Sequence, residues 1–132
     1  MSTPLTKLDD EEIIFRDAVQ GFAQDLLGSR VAAMDERAQL DDDILPALFE
    51  MGLMGIEIPE RFGGSESSFF TAILAIEALS TVDPSVAVVV DVQNTLVNNL
   101  MLHWGNDAQR EKYLPRLASE WVGAYALSEA SS

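Results

Sequence analysis

Apolar residues return along this chain at helical intervals, separated by short polar breaks. Phe15, Val19, Phe22 and Leu26 fall on one helical face, with Gln20, Gln24 and Asp25 mostly on others. Gly28 and Ser29 interrupt, and a short polar helix is predicted from Arg30 to about Ala38. Asp43 is placed to cap a third helix, with Pro46 in its first turn, where a missing amide costs little. That helix would bury Leu45, Leu48 and Phe49 and stop at Gly52. Ile56-Glu57-Ile58 reads as extended, because Pro59 biases the residue before it away from helix, and Gly63-Gly64 reads as a turn. From about Ser67 to Leu79, Phe70, Ile73, Leu74, Glu77 and Ala78 describe another helix.

One stretch carries two conflicting signals. Val86-Ala87-Val88-Val89-Val90 has the β-branched content of a buried strand. Before it stands Asp83-Pro84, a cap followed by proline at the first helical position, and after it Leu96, Val97, Leu100 and Met101 keep helical spacing. The helix reading prevails, as one long helix ending near Gly105. Asn106 or Asp107 opens a last helix, which Pro115 is expected to break or restart. After Trp121, Val122-Gly123-Ala124-Tyr125-Ala126-Leu127 changes character and reads as a strand entering another domain. The fold class is therefore all-α, a bundle of about six helices over residues 1–121, with the start of a β-strand in 122–132.

Composition narrows the function classes. The chain has 132 residues, 48% hydrophobic and 23% charged, the balance of a single globular domain. Its formal net charge of −14 argues against a nucleic-acid surface, which needs Lys and Arg against phosphate, and would repel anionic headgroups. Much of the acid lies in Asp9-Asp10-Glu11-Glu12 and Asp41-Asp42-Asp43, each before an apolar stretch, where carboxylates cap amides and meet the positive helix end. Neither run has the glycine-centred spacing of a calcium loop. No cysteine is present, so no disulfide, thiolate nucleophile or Cys-based zinc site is available. The start lacks the basic tip and apolar core of a secretory signal, and no apolar run is long enough for membrane insertion. A cytoplasmic, bacterial-type protein or a mature mitochondrial matrix protein is expected.

Few residues suggest chemistry by themselves. His103, the only histidine, sits at a helix end, where imidazole satisfies terminal carbonyls. A di-iron bundle would need Glu-x-x-His on two helices, and the position three before His103 is Leu100. Val88, Val92 and Leu96 recur in steps of four with Val89 beside them, a stripe suited either to an apolar pocket or to plain core. Gln93 and Asn94 fall on another face and are unassigned.

Three segments in order resemble the acyl-CoA dehydrogenase family. GLMGIEIPERFGG (residues 52–64) is similar to its Gly-x-x-Gly-Ile…Pro-Glu-x-x-Gly-Gly segment, and IEALSTVDPSVAV (76–88) to its Glu-x-Leu-x-x-x-Asp-x-Ser junction. WGNDAQREKYLPRLASEWVGAYALSE (104–129) resembles its Gln…Tyr-Leu-Pro stretch leading into a flavin-binding segment. VQNTLV (92–97) is most similar to the short/branched-chain members. The resemblance implies an acyl-CoA dehydrogenase N-terminal-like bundle followed by a middle β domain and a second helical domain. It also implies FAD, α,β-dehydrogenation of an acyl-CoA, and electron-transfer flavoprotein as acceptor. Tyr125, Leu127 and Ser128 match the run along the isoalloxazine, with the Ser128 hydroxyl toward the flavin N5 region and Leu127 offering backbone contacts. Val88, Val89, Val92 and Leu96 match the helix that lines the acyl pocket. The family's glutamate base lies in its last domain, so no catalytic residue and no metal ligand is assigned here. ALSEASS (126–132) resembles the first half of the flavin segment, without the Gly-Ser/Thr-Asp turn that follows in the family. Residues 122–132 are thus expected to begin the middle domain, and the chain alone is expected to be inactive. A free-standing acidic helical interaction module is the alternative.

Overall fold

The computed structural model describes residues 7–131; residues 1–6, which bear on the reading of a leader, and Ser132 lie outside the described residues. Helix α1 (Asp10–Leu27) starts at a capping box: the Asp9 carboxylate accepts from the Glu12 amide at 2.9 Å, and the Glu12 carboxylate accepts from the Asp9 amide at 2.8 Å. Val19, Ala23 and Leu27 form its buried stripe, one helical turn apart. Two short helices follow, α2 (Val31–Arg37) and α3 (Ile44–Glu50). Helix α3 ends as expected at Gly52, which takes φ +78°. The Leu53 amide reaches back to the Leu48 carbonyl and the Gly52 amide to that of Phe49, so two otherwise orphaned carbonyls are satisfied. Asp43 departs from expectation. Its side chain caps nothing in α3; it binds Arg30, a charge-assisted bond that outcompetes the amides.

Residues 56–58, expected to be extended, form a series of bends whose carbonyls accept backbone bonds from residues 65–67, Ile56 from Ser67 N–H and Ile58 from Glu66 N–H. Between them lie a 3₁₀ turn, Glu60–Phe62, and Gly63 at φ +87°. Helix α4 (Phe69–Ser80) is capped by Ser68, whose hydroxyl accepts from the Thr71 amide. Asp83 and Pro84 open α5 (Pro84–Asp91) as predicted, the Asp83 carboxylate accepting from the Ser85 amide at 2.8 Å. The valine run is helical. Tertiary burial of Val86, Ala87 and Val90 on α4 outweighs their strand propensity.

The long helix does continue toward Gly105, but not uniformly. A π segment (Val92–Asn98) joins α5 to α6 (Asn99–Trp104) without a break in right-handed helical dihedrals. Asn94 Nδ2 and Thr95 Oγ1 donate to the carbonyls of Val90 and Asp91 at the changeover. Side chains thus support a wide turn that backbone propensity alone disfavours. Helix α7 (Asp107–Ser119) begins with a second capping box, between Asn106 and Gln109.

Pro115 neither breaks nor restarts α7, contrary to expectation. Proline costs a helix interior one backbone bond and some steric strain. Burial of Leu114, Leu117 and Ala118 around it holds the turn, and Ser119 Oγ bonds the Pro115 carbonyl at 2.8 Å.

The apolar interior falls into two clusters. The larger joins α1, α3, α4 and α5 through residues such as Val19, Leu27, Leu48, Leu79 and Val90. The smaller gathers Ile58, Phe62, Leu114, Leu117 and Ala118, with Val97, Met101 and Tyr113 against them. The π segment lies between the two. Among the described residues no helix is long and apolar enough to cross a membrane. Nor is there a group of metal-ligating side chains among them, and Asp41 and Asp43 instead pair with Arg30 and Arg37.

The expected strand over residues 122–127 is corrected. No residue there is in a ladder, and no strand occurs among the described residues. A strand exists only through a hydrogen-bonded neighbour, and an apolar alternating sequence cannot supply one to itself.

Candidate functional site

The predicted acyl stripe is uncovered. On a helix whose other face buries Val86, Ala87 and Val90 almost completely, Val88 is 56% exposed and Leu96 39%. Val92 is half-buried between them, and Leu100, 60% exposed, extends the row beyond the predicted residues. Among the described residues, Val88, Leu96 and Leu100 are exposed and belong to neither apolar cluster. Val89 differs: it is half-buried and packs against the larger apolar cluster. A run of aliphatic side chains left in water on a firmly held helix is the signature of a surface that meets something apolar.

The opposite face of the π segment carries three fully buried amide side chains, Gln93, Asn94 and Asn98. Asn94 Nδ2 donates to the Leu53 carbonyl at 2.8 Å and its Oδ1 accepts from the Ile56 amide at 3.0 Å. Asn98 Nδ2 donates to the Met54 carbonyl at 2.9 Å. Gln93 points the other way along the molecule. Its Nε2 donates to the carbonyls of Leu117 (2.8 Å) and Trp121 (3.0 Å), and its Oε1 accepts from the Gly123 amide at 2.6 Å. Buried polar groups are costly unless paired, and these amides satisfy irregular backbone on either side of the helix. Sequence reasoning left Gln93 and Asn94 unassigned. The signal was there in the density of Gln and Asn through 93–99, inside an otherwise aliphatic helix.

Gly123 is held from a second side. A Cβ there would lie 2.6 Å from both γ carbons of Val97, so only a glycine lets the chain pass this close to the π segment. Beyond it the backbone runs out into solvent. Tyr125 is 59% exposed, Leu127 70%, and Ser128 is also exposed. The stripe and the segment expected to touch flavin are thus joined at one place. Gln93 adjoins Val92 on the helix and holds Gly123, two residues ahead of Tyr125. An aromatic ring, an aliphatic side chain, a hydroxyl and backbone free of ladder bonds suit the edge of a flat heteroaromatic ring.

Two clefts of the molecule lie away from the stripe. One of about 650 Å³ is bounded by Val31, Met34, Leu40 and Pro84, and one of about 700 Å³ by Leu45, Phe49, Gly63 and Val122. Neither includes a residue of the stripe, which is an open wall rather than a cavity. His103 is exposed at the end of α6, with no metal-ligating group around it among the described residues. The Arg30 guanidinium, bonded to Asp43 at 2.8 Å, lowers that carboxyl below its ordinary value, far from the stripe in sequence.

Comparisons with known proteins converge on these elements. The family model of the acyl-CoA dehydrogenase N-terminal domain matches residues 9–120. The chain is 46% identical over 129 residues to a probable short/branched chain specific acyl-CoA dehydrogenase of Dictyostelium discoideum, covering 98% of this chain and 31% of that protein. It is 41% identical to the mitochondrial short/branched chain specific acyl-CoA dehydrogenase of Rattus norvegicus, covering 98% of this chain and 30% of the relative. The butyryl-CoA dehydrogenase structure from Megasphaera elsdenii superposes with a TM-score of 0.79 at 27% identity, over 89% of this chain and 31% of that one. The chain thus spans about a third of the length of the curated relatives it matches.

Proposed function

The chain belongs to the acyl-CoA dehydrogenase family, and from that membership we propose that it forms the amino-terminal helical wall of an FAD-dependent enzyme acting on short or branched acyl-CoA thioesters. The observation that carries the proposal is the exposed row Val88, Val92, Leu96 and Leu100. In this reading the row lines one side of the acyl chain and keeps water from it, with Val89 behind as support. Burying aliphatic surface on both partners supplies binding energy without directional demands, at about 25 cal/mol per Å² of apolar area. The short side chains of valine suit a short or branched acyl group, since bulk at the wall sets the room left for the ligand.

Tyr125, Leu127 and Ser128 are the residues that would lie along the flavin, and they fit as one edge of its site. When bound, FAD supplies the hydride-accepting centre for removal of hydrogens from the α and β carbons. The residues of this chain bind and orient; the proton-abstracting carboxylate and the remaining walls belong, on the family pattern, to a middle β domain and a second helical domain. Electron-transfer flavoprotein is the proposed acceptor. Residues 122–132 are proposed as the beginning of the middle domain, where an adjoining strand would complete the ladder.

The test is anaerobic titration of the complete purified protein with acyl-CoA thioesters of graded length and branching. Bleaching of the oxidised flavin band by short or branched substrates is expected. A protein that carries no flavin, or whose flavin no acyl-CoA bleaches, overturns the reading and favours an interaction module.

A further inference from the structure

We propose that Gln93 is a positioning residue that sets where the flavin-contacting segment leaves the helical domain, through its bonds to Leu117, Trp121 and Gly123. The inference rests on the reading of Tyr125–Ser128 given above and adds a residue with no expected contact to flavin or substrate. One carboxamide, fully buried, uses both donor hydrogens and its acceptor on backbone of the same short stretch, the end of α7 and the exit beyond it. Such saturation fixes the amide's orientation as well as its place, because a flipped group would set donor against donor at Gly123. The anchor sits where position is otherwise lost. Helix α7 ends at Ser119, Gly123 lies against Val97 of the π segment, and residues 124–128 are exposed. A single residue, Ala124, separates Gly123 from Tyr125, so an error at Gly123 passes directly to the segment.

Val92 is half-buried and Leu96 exposed on the same segment in which Gln93 is fully buried. The wall proposed for the acyl chain and the anchor for the flavin segment are consecutive residues, so the two halves of the site share one rigid reference. A loop tethered only at its far end would lack that reference. Misplacement by about 1 Å at a reacting centre is enough to cost about a hundredfold in rate.

The test uses the complete flavoprotein and three variants, with FAD affinity measured by recovery of flavin fluorescence and amide exchange followed over residues 121–128. Gln93→Glu keeps the shape but loses both donors. Asn94→Asp makes the same chemical change at an equally buried amide that holds residues 53–56 instead. Both are expected to lower the thermal midpoint. Only Gln93→Glu is expected to weaken FAD binding, by about tenfold, and to speed exchange at Gly123. Should Gln93→Glu fail to fold, Gly123→Ala serves, since its Cβ strikes Val97; FAD affinity should fall, and Val97→Ala in the same chain should restore it. Equal FAD affinity in parent and Gln93→Glu, an equal loss in Asn94→Asp, or a Gly123→Ala protein that binds FAD normally overturns the proposal. A parent protein that binds no FAD removes the functional reading itself, which separates the two failures.

Discussion

Asn94 bonds the Ile56 amide at 3.0 Å through Oδ1, from a helix to an irregular loop 38 residues earlier in the chain, while its Nδ2 holds the Leu53 carbonyl of the same loop at 2.8 Å. The side chain stands in for the neighbour that residues 53–56 would have if they were part of a sheet.

Replacing Asn94 with Ala should therefore cost more than a lost contact. It strands a buried donor at Ile56 and a buried acceptor at Leu53, each worth about 1–3 kcal/mol when unpaired. A destabilisation of about 3 kcal/mol is expected from chemical denaturation, with an unchanged denaturant slope. A loss under about 0.5 kcal/mol would mean the loop finds other partners.

Two glycines should respond in opposite directions. Gly21 lies exposed in the interior of α1, and a Cβ there meets nothing. Gly21→Ala should stabilise by about 0.5–1 kcal/mol through helix propensity and a restricted unfolded state. At Gly64 a Cβ would overlap the backbone carbonyl of Ile58, which cannot step aside without breaking the 56–58 and 65–67 pairing. Gly64→Ala should lower the thermal midpoint instead, and the sign of each shift in calorimetry checks the pair.

Acid should act through Asp43. Arg30 donates to its carboxylate at 2.8 Å and holds its pKa below the ordinary value in the folded chain, so the unfolded chain takes up the proton first as pH falls. The stabilisation is fully present above the ordinary carboxylate range and is lost as pH drops through the lowered value. Arg30, raised by the same bond, stays charged throughout. The denaturation midpoint of Asp43→Asn should fall less than that of the parent between pH 5 and pH 2, the difference shrinking in high salt as exposed pairs are screened. Equal slopes in parent and variant would show that the pair does not couple to folding.

Val92→Phe tests the wall. The residue is half-buried and faces away from both apolar clusters, so the domain should lose under about 1 kcal/mol. In the complete enzyme the larger ring should reduce kcat/KM for a branched acyl-CoA by about tenfold or more relative to the shortest straight chain, since one methylene in an apolar site is worth about 10–200-fold. Steady-state comparison of the two substrates provides the ratio. An unchanged ratio would remove Val92 from the pocket.

Most helices were legible because local signals and burial agree: Asp9 with Glu12, Asp83 with Pro84, and Gly52 after α3 mark real ends. Three features were not legible, each for a nonlocal reason. Pro115 stays inside α7 because Leu114, Leu117 and Ala118 are buried around it. Asp43 forgoes capping because Arg30, 13 residues earlier in the chain, binds it more strongly. Val122–Leu127 is no strand in this chain, since pairing depends on a neighbour. At the candidate site the stripe was visible as a four-residue rhythm, and its exposure is what the structure adds. The work of Gln93 was invisible, because no local rule says which backbone a buried amide will meet.

The π segment has one further consequence, for how this chain tolerates insertion and deletion. Each wide turn holds an extra residue relative to an α-helix, so it sets the rotational phase of everything that follows. Forcing the same residues of Val92–Asn98 into α geometry, with none removed, would turn the part beyond by about 100°, the angle of one helical residue. Met101 and Leu102 would swing off the smaller cluster while Leu100 and Trp104 swung toward new surroundings. In loops, length is forgiving and sequence varies. Here the wide turn absorbs the extra residue, so a single-codon deletion that relaxes it to α geometry should keep Met101 and Leu102 in phase, at the cost of buried amide bonds made by Gln93, Asn94 and Asn98.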